Sequence, residues 1–157
     1  KTSKKDLGMI AATYGNVYVA QISINANPNQ TIKAFAEAEA YPGPSLIIGY
    51  TPCINHGIRG GMTNSLQSAI DAMESGYWQL YRYDPRLAEK GKDPMRIDYK
   101  KADFSKIPDF LATQTRFSAL KNVKKDAEVV EEMFEKTKED MEKRADNYAR
   151  MASMRKK

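Results

Sequence analysis

This chain of 157 residues contains a single cysteine, Cys53, and a single histidine, His56. One cysteine excludes a disulfide within the chain, and such scarcity fits a reducing compartment. Structural zinc and iron–sulfur sites take about four cysteine or histidine ligands. We therefore expect neither a disulfide framework nor a complete cysteine–histidine metal site in this chain.

Long apolar runs are also lacking. The chain has no stretch of about 18 apolar residues, the length that a membrane-spanning helix needs. No apolar segment of the secretory type follows the opening KTSKKDLGMI. We expect a cytoplasmic protein, and a composition of 41% hydrophobic and 29% charged residues is that of a globular domain.

The basic excess is small and lies largely at the two ends of the chain. The formal net charge is +5, and basic residues cluster at Lys1, Lys4, Lys5 and 155–157. A positive charge permits an acidic partner. However, no basic patch interleaved with aromatic residues, zinc-finger spacing or RNA-binding signature accompanies it. We interpret the basic ends as solvated termini and expect no binding to nucleic acid or membranes.

The first half of the chain has the pattern of a β-α-β unit. VYVAQISI at 17–24 predicts a central strand covered on both faces. QTIKAFAEAEAY predicts a helix that ends at PGP and has one apolar face, with Ile32, Phe35, Ala36 and Glu39 in its pattern. SLIIGY predicts a second, short buried strand. Such strands run parallel, and the working residues of parallel sheets lie beyond the carboxyl ends of the strands. We expect Thr51, Pro52 and Cys53 at that edge.

Further elements flank this unit. DLGMIAATYG and TNSLQSAIDAMESG each predict a helix that ends near a glycine, the second with Leu66, Ile70 and Met73 on its apolar face. YWQLYRYDPRL predicts a third strand, and residues 88–108 predict a polar surface excursion. Together these patterns predict an α/β fold with a mostly parallel sheet of about three strands flanked by helices.

The last third of the chain is helical and strongly charged. PDFLATQTRFSAL predicts a short helix, and DAEVVEEMFEKTKEDMEKRADNYARMA predicts a long one. An apolar stripe runs along the long helix and consists of Val130, Phe134, Met141, Ala145 and Tyr148. Spacing leaves open whether this stripe packs on the same domain, a missing domain or a second subunit. We divide the chain into an α/β unit at 1–108 and a helical extension at 109–157.

Cys53 and His56 are the residues with the most reactive chemistry. A thiolate and an imidazole three residues apart could share a metal ion, but two ligands are too few. A nucleophilic Cys–His pair needs a third group that orients the base. A lone loop cysteine near a strand end is the third interpretation, and it is the one that the residues by themselves favour.

Four ordered segments resemble the carboxyl-terminal part of the thiamine diphosphate-binding domain of pyruvate:ferredoxin (flavodoxin) oxidoreductases. They are KKDLGMIAATYGNVYVAQ, YPGPSLIIGYTPCINHGI, SGYWQLYRYDPRLAEKGKDP and FLATQTRFSAL, and they cover roughly residues 4–120. The resemblance implies a partial thiamine diphosphate-binding fold and a role in anaerobic metabolism. It also implies oxidative decarboxylation of pyruvate, with coenzyme A capturing the acyl group and electrons leaving for ferredoxin or flavodoxin.

The resemblance further implies roles for individual residues. The cysteine matching Cys53 is the fourth ligand of the 4Fe–4S cluster nearest the thiamine, and Asn55 and His56 lie beside it. Asn55 is expected to contact a cofactor or shape the surroundings of the cluster, whereas Arg59 is expected to be an exposed loop residue. Trp78 and the neighbouring tyrosines are interpreted as core and interface aromatics rather than as a cofactor site.

Several parts of the implied enzyme are absent from this sequence. The other cluster cysteines are missing, as is the Gly-Asp-Gly motif that binds the Mg²⁺-diphosphate of thiamine. We interpret Asp6 as a charge at a helix N-terminus rather than as a metal ligand. The isolated chain is expected to be inactive, with the rest of the oxidoreductase polypeptide as its partner in a homodimeric enzyme.

The alternative function is a non-catalytic α/β interaction module whose charged C-terminal helix binds a partner or dimerises. In either case, missing strands would leave a sheet edge and an apolar helix face uncovered. We therefore expect the isolated chain to be only marginally stable.

Overall fold

A computed structural model describes residues 4–99, 101–120 and 127–154. The helices are α1 (Leu7–Ala12), α2 (Pro28–Glu39), α3 (Ser65–Glu74), α4 (Pro85–Glu89), α5 (Ile107–Thr113), α6 (Thr115–Ser118) and α7 (Ala127–Met151). The strands are β1 (Tyr18–Ile22), β2 (Ser45–Gly49), β3 (Tyr81–Tyr83) and β4 (Met95–Ile97). Short 3-10 helices at Met62–Asn64 and Phe104–Lys106 precede α3 and α5.

Some predictions fall outside these residues. The basic ends at Lys1 and 155–157 lie outside them, as does the predicted start of the long helix at residue 126. Lys4 is described, and its ammonium donates a hydrogen bond to the Tyr77 hydroxyl at 3.0 Å. Within the described residues, no helix is both long and apolar enough to cross a membrane.

The strands form one sheet in the order β2-β1-β3-β4. β1 and β2 are parallel, with Tyr18 opposite Ser45 and Ile22 opposite Gly49. This confirms the predicted β-α-β unit and the α/β class. β3 pairs antiparallel with β1, and β4 pairs antiparallel with β3, so the sheet is mixed.

A fourth strand corrects the predicted count of about three. β4 has only three residues and lies in the stretch that the sequence predicts as a polar excursion. Its register places Tyr81 opposite Ile97 and Tyr83 opposite Met95. The strand therefore depends on pairing with β3, which the local pattern does not reveal.

Capping side chains fix the starts of several helices. Asp6 accepts a hydrogen bond from the backbone N–H of Met9 at 3.1 Å. Asn27 accepts one from the N–H of Gln30 at 3.0 Å, and Asp84 caps α4 in a similar way. These bonds satisfy backbone donors that lack a partner within the helix. The capping bond confirms that Asp6 acts as an N-terminal helix residue.

Helices cover both faces of β1, all of whose residues are buried. On one face, Tyr18, Ala20 and Ile22 pack with Ala34 of α2. On the other face, Val19 packs in a cluster that includes residues of α1, β3 and α7. α1 can approach so closely because it has Gly8, where a Cβ atom would lie 1.8 Å from the Tyr81 hydroxyl oxygen.

The apolar stripe of α7 packs on this same chain. Val130, Phe134 and Met141 are buried in a cluster with residues of α3 and α5. Tyr148 is fully buried, with its ring centre 4.8 Å from that of Tyr81. This contact answers the question that the spacing left open. The division of the chain at residue 108 stays a prediction.

An ion network links α2 to the β3–β4 side of the sheet. Arg82 is only 5% exposed and donates to both carboxylate oxygens of Asp98, at 2.7 and 2.8 Å. It also pairs with Glu37, which accepts a bond from the Tyr18 hydroxyl at 3.0 Å. Hydrogen bonds to Asp98, opposed by burial, and further bonds to Glu37 raise the pKa of Arg82. The guanidinium therefore stays charged and fully paired in the fold.

Three burial predictions were wrong. The predicted apolar face of α2, with Ile32 and Phe35, is exposed, and the helix buries Gln30, Thr31 and Ala34 instead. β2 was predicted to be buried, but its three central residues are half-buried and its two end residues are exposed. Leu66 was assigned to the apolar face of α3, but it is 55% exposed. The buried face of α3 instead carries Ser68, Ala69 and Ala72, because the helix is rotated to pack against α5 and α7.

Candidate metal-ligand site

Cys53 lies in the loop that follows β2, at the carboxyl edge of the parallel strand pair. Backbone pairing continues one residue past β2, because the N–H of Tyr50 donates to the carbonyl of Ile22 at 2.9 Å. Trp78 donates its indole N–H to the same carbonyl, also at 2.9 Å, and its ring lies 5.5 Å from the Tyr50 ring. The loop therefore starts from a rigid part of the sheet, as the sequence predicted.

A tight turn begins at Cys53. The N–H groups of His56 and Gly57 both donate to the Cys53 carbonyl at 3.1 Å. Gly57 has a φ of +69°, a conformation that favours glycine. A Cβ atom there would also lie 2.6 Å from the Thr115 hydroxyl oxygen. Both the backbone angle and the close neighbour require glycine at the end of this turn.

Backbone hydrogen bonds attach the Cys53 loop to the junction between α5 and α6. Ile58 and Gln114 form an antiparallel β-bridge, and the N–H of Arg59 donates to the carbonyl of Thr113 at 2.8 Å. The N–H of Arg116 donates to the His56 carbonyl at 3.0 Å. These backbone bonds hold the Cys53 loop against a segment that is about 55 residues away along the chain.

Gln114 is the residue of this arrangement that sequence reasoning missed. It is 4% exposed, and its side-chain amide donates to the Ser68 hydroxyl of α3 at 3.0 Å. It thereby connects the loop, the α5–α6 junction and α3. The only signal in the sequence was its place inside the segment FLATQTRFSAL.

The side chains near the turn differ in exposure. Cys53 is half-buried and its thiol is free, whereas Asn55 and His56 are exposed. The loop and the start of α3 also expose apolar side chains, namely Ile54 at 73%, Met62 at 36% and Leu66 at 55%. The free thiol thus lies next to apolar surface that is open in this chain.

A complete metal site is not present in the described part of the chain. No group of three or more His, Cys, Asp or Glu side chains could hold a metal ion there. A cleft of about 730 Å³ near Asn27 and Asp98 is lined by residues of both charges and contains neither Cys53 nor Asn55. Cys53 can therefore act only as one ligand among others that come from elsewhere.

Comparison with known proteins shows where this sequence occurs. No protein-family model matches the chain. A pyruvate-flavodoxin oxidoreductase from Enterobacter agglomerans is 52% identical over 153 residues, which are 98% of this chain. A pyruvate:ferredoxin oxidoreductase from Moorella thermoacetica is 48% identical over 151 residues, which are 96% of this chain. The chain matches a segment of the pyruvate:ferredoxin (flavodoxin) oxidoreductases.

The segment is a small part of these oxidoreductases. The chain spans 13% of the Enterobacter protein and 12% of the Moorella protein. A third relative, the mitochondrial pyruvate dehydrogenase [NADP(+)] of Euglena gracilis, is 50% identical over 121 residues, or 77% of this chain and 7% of that protein. The predicted family resemblance is confirmed, while the assignments of Cys53 and Asn55 stay predictions.

Proposed function

We propose that this chain is a scaffold segment of an enzyme that oxidatively decarboxylates pyruvate to acetyl-CoA and CO₂. The observation that carries this proposal is the 52% identity over 98% of the chain to a pyruvate-flavodoxin oxidoreductase. Electrons would leave through 4Fe–4S clusters to ferredoxin or flavodoxin in a reducing, cytoplasmic setting. Since the chain spans only 13% of that relative, we assign turnover to the whole polypeptide and none to the isolated chain.

We further propose that Cys53 is one thiolate ligand of a 4Fe–4S cluster. Three features support this role: the thiol is free, it is half-buried, and it lies in a loop four residues past the last residue of β2. Thiolate is the ligand type that such a cluster needs, and a ligand on a rigid element fixes the position of the cluster. When bound, the cluster carries single electrons between the thiamine cofactor and the acceptor.

The remaining ligands come from other parts of the polypeptide. The described residues offer no second cysteine and no cluster of metal-binding side chains. The exposed apolar side chains Ile54 and Leu66 would be covered by those other parts, which would exclude water from the thiolate. The chain lacks an acidic motif that fits Mg²⁺ and thiamine diphosphate, so we place that binding outside this segment.

Asn55 is proposed to act beside the cofactor rather than as a ligand. Its exposed amide lies two residues from Cys53 in the same turn. A hydrogen bond from an amide to a cluster sulfur raises the reduction potential of the cluster. We expect Asn55→Ala to keep the iron but to lower this potential, and equal potentials in the two enzymes would remove Asn55 from the site.

The choice of electron acceptor is assigned to regions outside this chain. The Euglena relative carries NADP(+) in its name, yet half of the aligned residues are identical to those of this chain. A segment that determined the acceptor would be expected to differ more.

The alternative is a non-catalytic interaction module whose charged C-terminal helix binds a partner or dimerises. An interaction through the apolar stripe of α7 would need that stripe to be accessible. Val130 and Tyr148 are fully buried within this chain, and Phe134 and Met141 are nearly so. No observation on the described residues favours this alternative.

The experiment that tests the ligand role measures iron and acid-labile sulfide in the anaerobically purified full-length enzyme. The Cys53→Ser enzyme is expected to lose the iron of about one cluster, because serine is a poor ligand for such a cluster. Its electron-transfer activity is expected to be lost as well. Arg59→Ala is the matched control, since the Arg59 side chain is exposed in the same loop. Unchanged iron in Cys53→Ser would leave this segment as scaffold alone.

A further inference from the structure

The first residues of α6 lie against the Cys53 loop. The N–H of Arg116 donates to the His56 carbonyl at 3.0 Å, and the N–H of Thr115 donates to the Gly57 carbonyl at 3.2 Å. His56 and Gly57 in turn donate to the Cys53 carbonyl, so hydrogen bonds close this turn. The backbone of Arg116 is therefore fixed against the turn that presents Cys53.

The side chain of Arg116 lies near the start of the same loop. Its guanidinium carbon is 4.6 Å from the centre of the Phe117 ring. Burial raises the pKa of Tyr50, whereas a hydrogen bond with Ser68 and the positive charge of Arg116 act to lower it. Such an effect needs the charge close to the Tyr50 hydroxyl. Since Tyr50 precedes Cys53 by three residues, Arg116 contacts one end of the loop and influences the other.

A second cation lies against the same aromatic ring. The Lys4 ammonium is 5.8 Å from the centre of the Phe117 ring and 5.3 Å from that of the Tyr77 ring. It also donates a hydrogen bond to the Tyr77 hydroxyl at 3.0 Å. The two rings meet edge to face, with their centres 6.3 Å apart. Lys4 and Arg116 are thus brought to one aromatic pair beside the Cys53 loop.

Neither cation has an acidic partner among the described residues. The ion pairs formed there join other side chains, and none includes Lys4 or Arg116. Arg144, by contrast, donates to the Lys4 carbonyl at 3.0 Å and pairs with Asp6. Like charges repel, so bringing Lys4 and Arg116 together without a counterion costs free energy. The arrangement suits an anion that comes from outside the described residues.

We propose that Arg116 raises the reduction potential of the 4Fe–4S cluster that Cys53 holds. This inference rests on the proposed function, because it takes Cys53 as a cluster ligand. A cluster with four thiolate ligands is anionic, and reduction adds negative charge to it. Positive charge beside the cluster therefore stabilises the reduced form more than the oxidised form. Arg116 acts through its charge, whereas Asn55 would act through a hydrogen bond.

The expected size of the effect follows from the distance. The Cα atoms of Tyr50 and Cys53 lie at most about 10 Å apart, because three residues separate them along the chain. This distance is comparable to the screening length at an ionic strength of about 0.1 M. A unit charge about 10 Å away, at an effective dielectric constant of about 20, changes the equilibrium between oxidised and reduced cluster by about tenfold. For one electron, such a change is about 59 mV.

The test is a redox titration of the anaerobically purified full-length enzyme, followed by electron paramagnetic resonance. The signal to follow is that of the cluster that Cys53→Ser removes. Arg116→Gln is expected to keep the iron and to make reduction of this cluster about tenfold less favourable, which lowers its potential by about 59 mV. An unchanged potential in Arg116→Gln would overturn the proposal.

Two further variants separate the charge near Cys53 from other effects. Arg96→Gln removes a charge from an exposed residue of β4, at the opposite edge of the sheet from β2, and is expected to leave the potential unchanged. Arg116→Lys keeps the charge but loses the planar guanidinium that lies over the Phe117 ring. It is expected to keep the potential. An equal fall in the lysine and glutamine variants of Arg116 would mean that this side chain acts by packing and would overturn the proposal.

The ligand role of Cys53 and the effect of Arg116 can fail separately. Loss of iron in Cys53→Ser, together with an unchanged potential in Arg116→Gln, would remove only the role of Arg116. Full iron in Cys53→Ser would place the cluster elsewhere and would overturn both.

Discussion

The two edge strands of the sheet, β2 and β4, differ in length, charge and burial. β4 has three residues, exposes the charged Arg96 and buries Met95 to 2% exposure in a cluster with Tyr148 of α7. β2 has five residues, carries no charge and is half-buried. The β4 edge has the features of a strand that can stay open, whereas the β2 edge has the features of a strand that another strand covers.

The largest effect is expected at the ion network that closes the β4 side. Arg82→Ala should lower the free energy of unfolding of the chain by about 3–5 kcal/mol, because Glu37 and Asp98 would lose their buried partner. Arg96→Ala is a matched control, since Arg96 pairs with Arg82 across β3 and β4 but is exposed. Denaturant unfolding that gave equal losses for the two variants would contradict the role of the network.

A second pair of variants compares the edge strands directly. Met95→Ala in β4 should cost about 2–5 kcal/mol, as for other buried methionines. Ile47→Ala in β2 should cost about 1 kcal/mol in this chain, because its side chain is only half-buried. In the full-length enzyme the cost at Ile47 should rise toward that at Met95. An equal cost at Ile47 in both settings, measured by thermal unfolding, would mean that nothing covers β2.

A third pair compares the turns beside the two edges. Gly57→Ala, after β2, should cost about 2–3 kcal/mol, because φ is +69° and the new Cβ would lie 2.6 Å from the Thr115 hydroxyl. Gly91→Ala, before β4, has a similar φ of +71° but no atom within 4 Å, so about 1 kcal/mol is expected. Thermal unfolding should separate the variants, and equal losses would show that Thr115 moves freely.

The smallest expected effect is a loss of folding stability at alkaline pH. Burial, the nearby Tyr81 and the hydrogen bond to Asp6 raise the pKa of Tyr148 above its ordinary value. Unfolded tyrosine loses its proton near pH 10, whereas folded Tyr148 keeps it, so this stabilisation is complete below about pH 10 and is lost as pH rises. Tyr148→Phe should flatten that loss in pH-dependent unfolding. An unchanged slope would exclude Tyr148 as its source.

Sequence patterns were sufficient for elements that depend on local periodicity. The parallel β1–β2 pair and the buried stripe of α7 follow from the spacing of apolar residues. The position of Cys53 beyond the carboxyl end of β2 followed from the β-α-β topology. These features need no knowledge of distant parts of the chain.

Features that depend on distant neighbours were missed. β4 forms only because β3 pairs with it, and α3 is rotated by its packing on α5 and α7. The Cys53 loop is fixed by backbone hydrogen bonds between Ile58 and Gln114, which are distant in sequence, so no local pattern encodes them. The apolar sequence of β2 suggested burial, although no described strand pairs with its outer edge.

The most direct test of the whole account is an anomalous difference map at the iron edge from crystals of the full-length enzyme. We predict iron bonded to the Sγ atom of Cys53 beyond the carboxyl end of β2, with a further strand paired to the Ser45–Gly49 edge. Iron bound only by other residues, with that edge open, would contradict both the ligand role and the strand pairing.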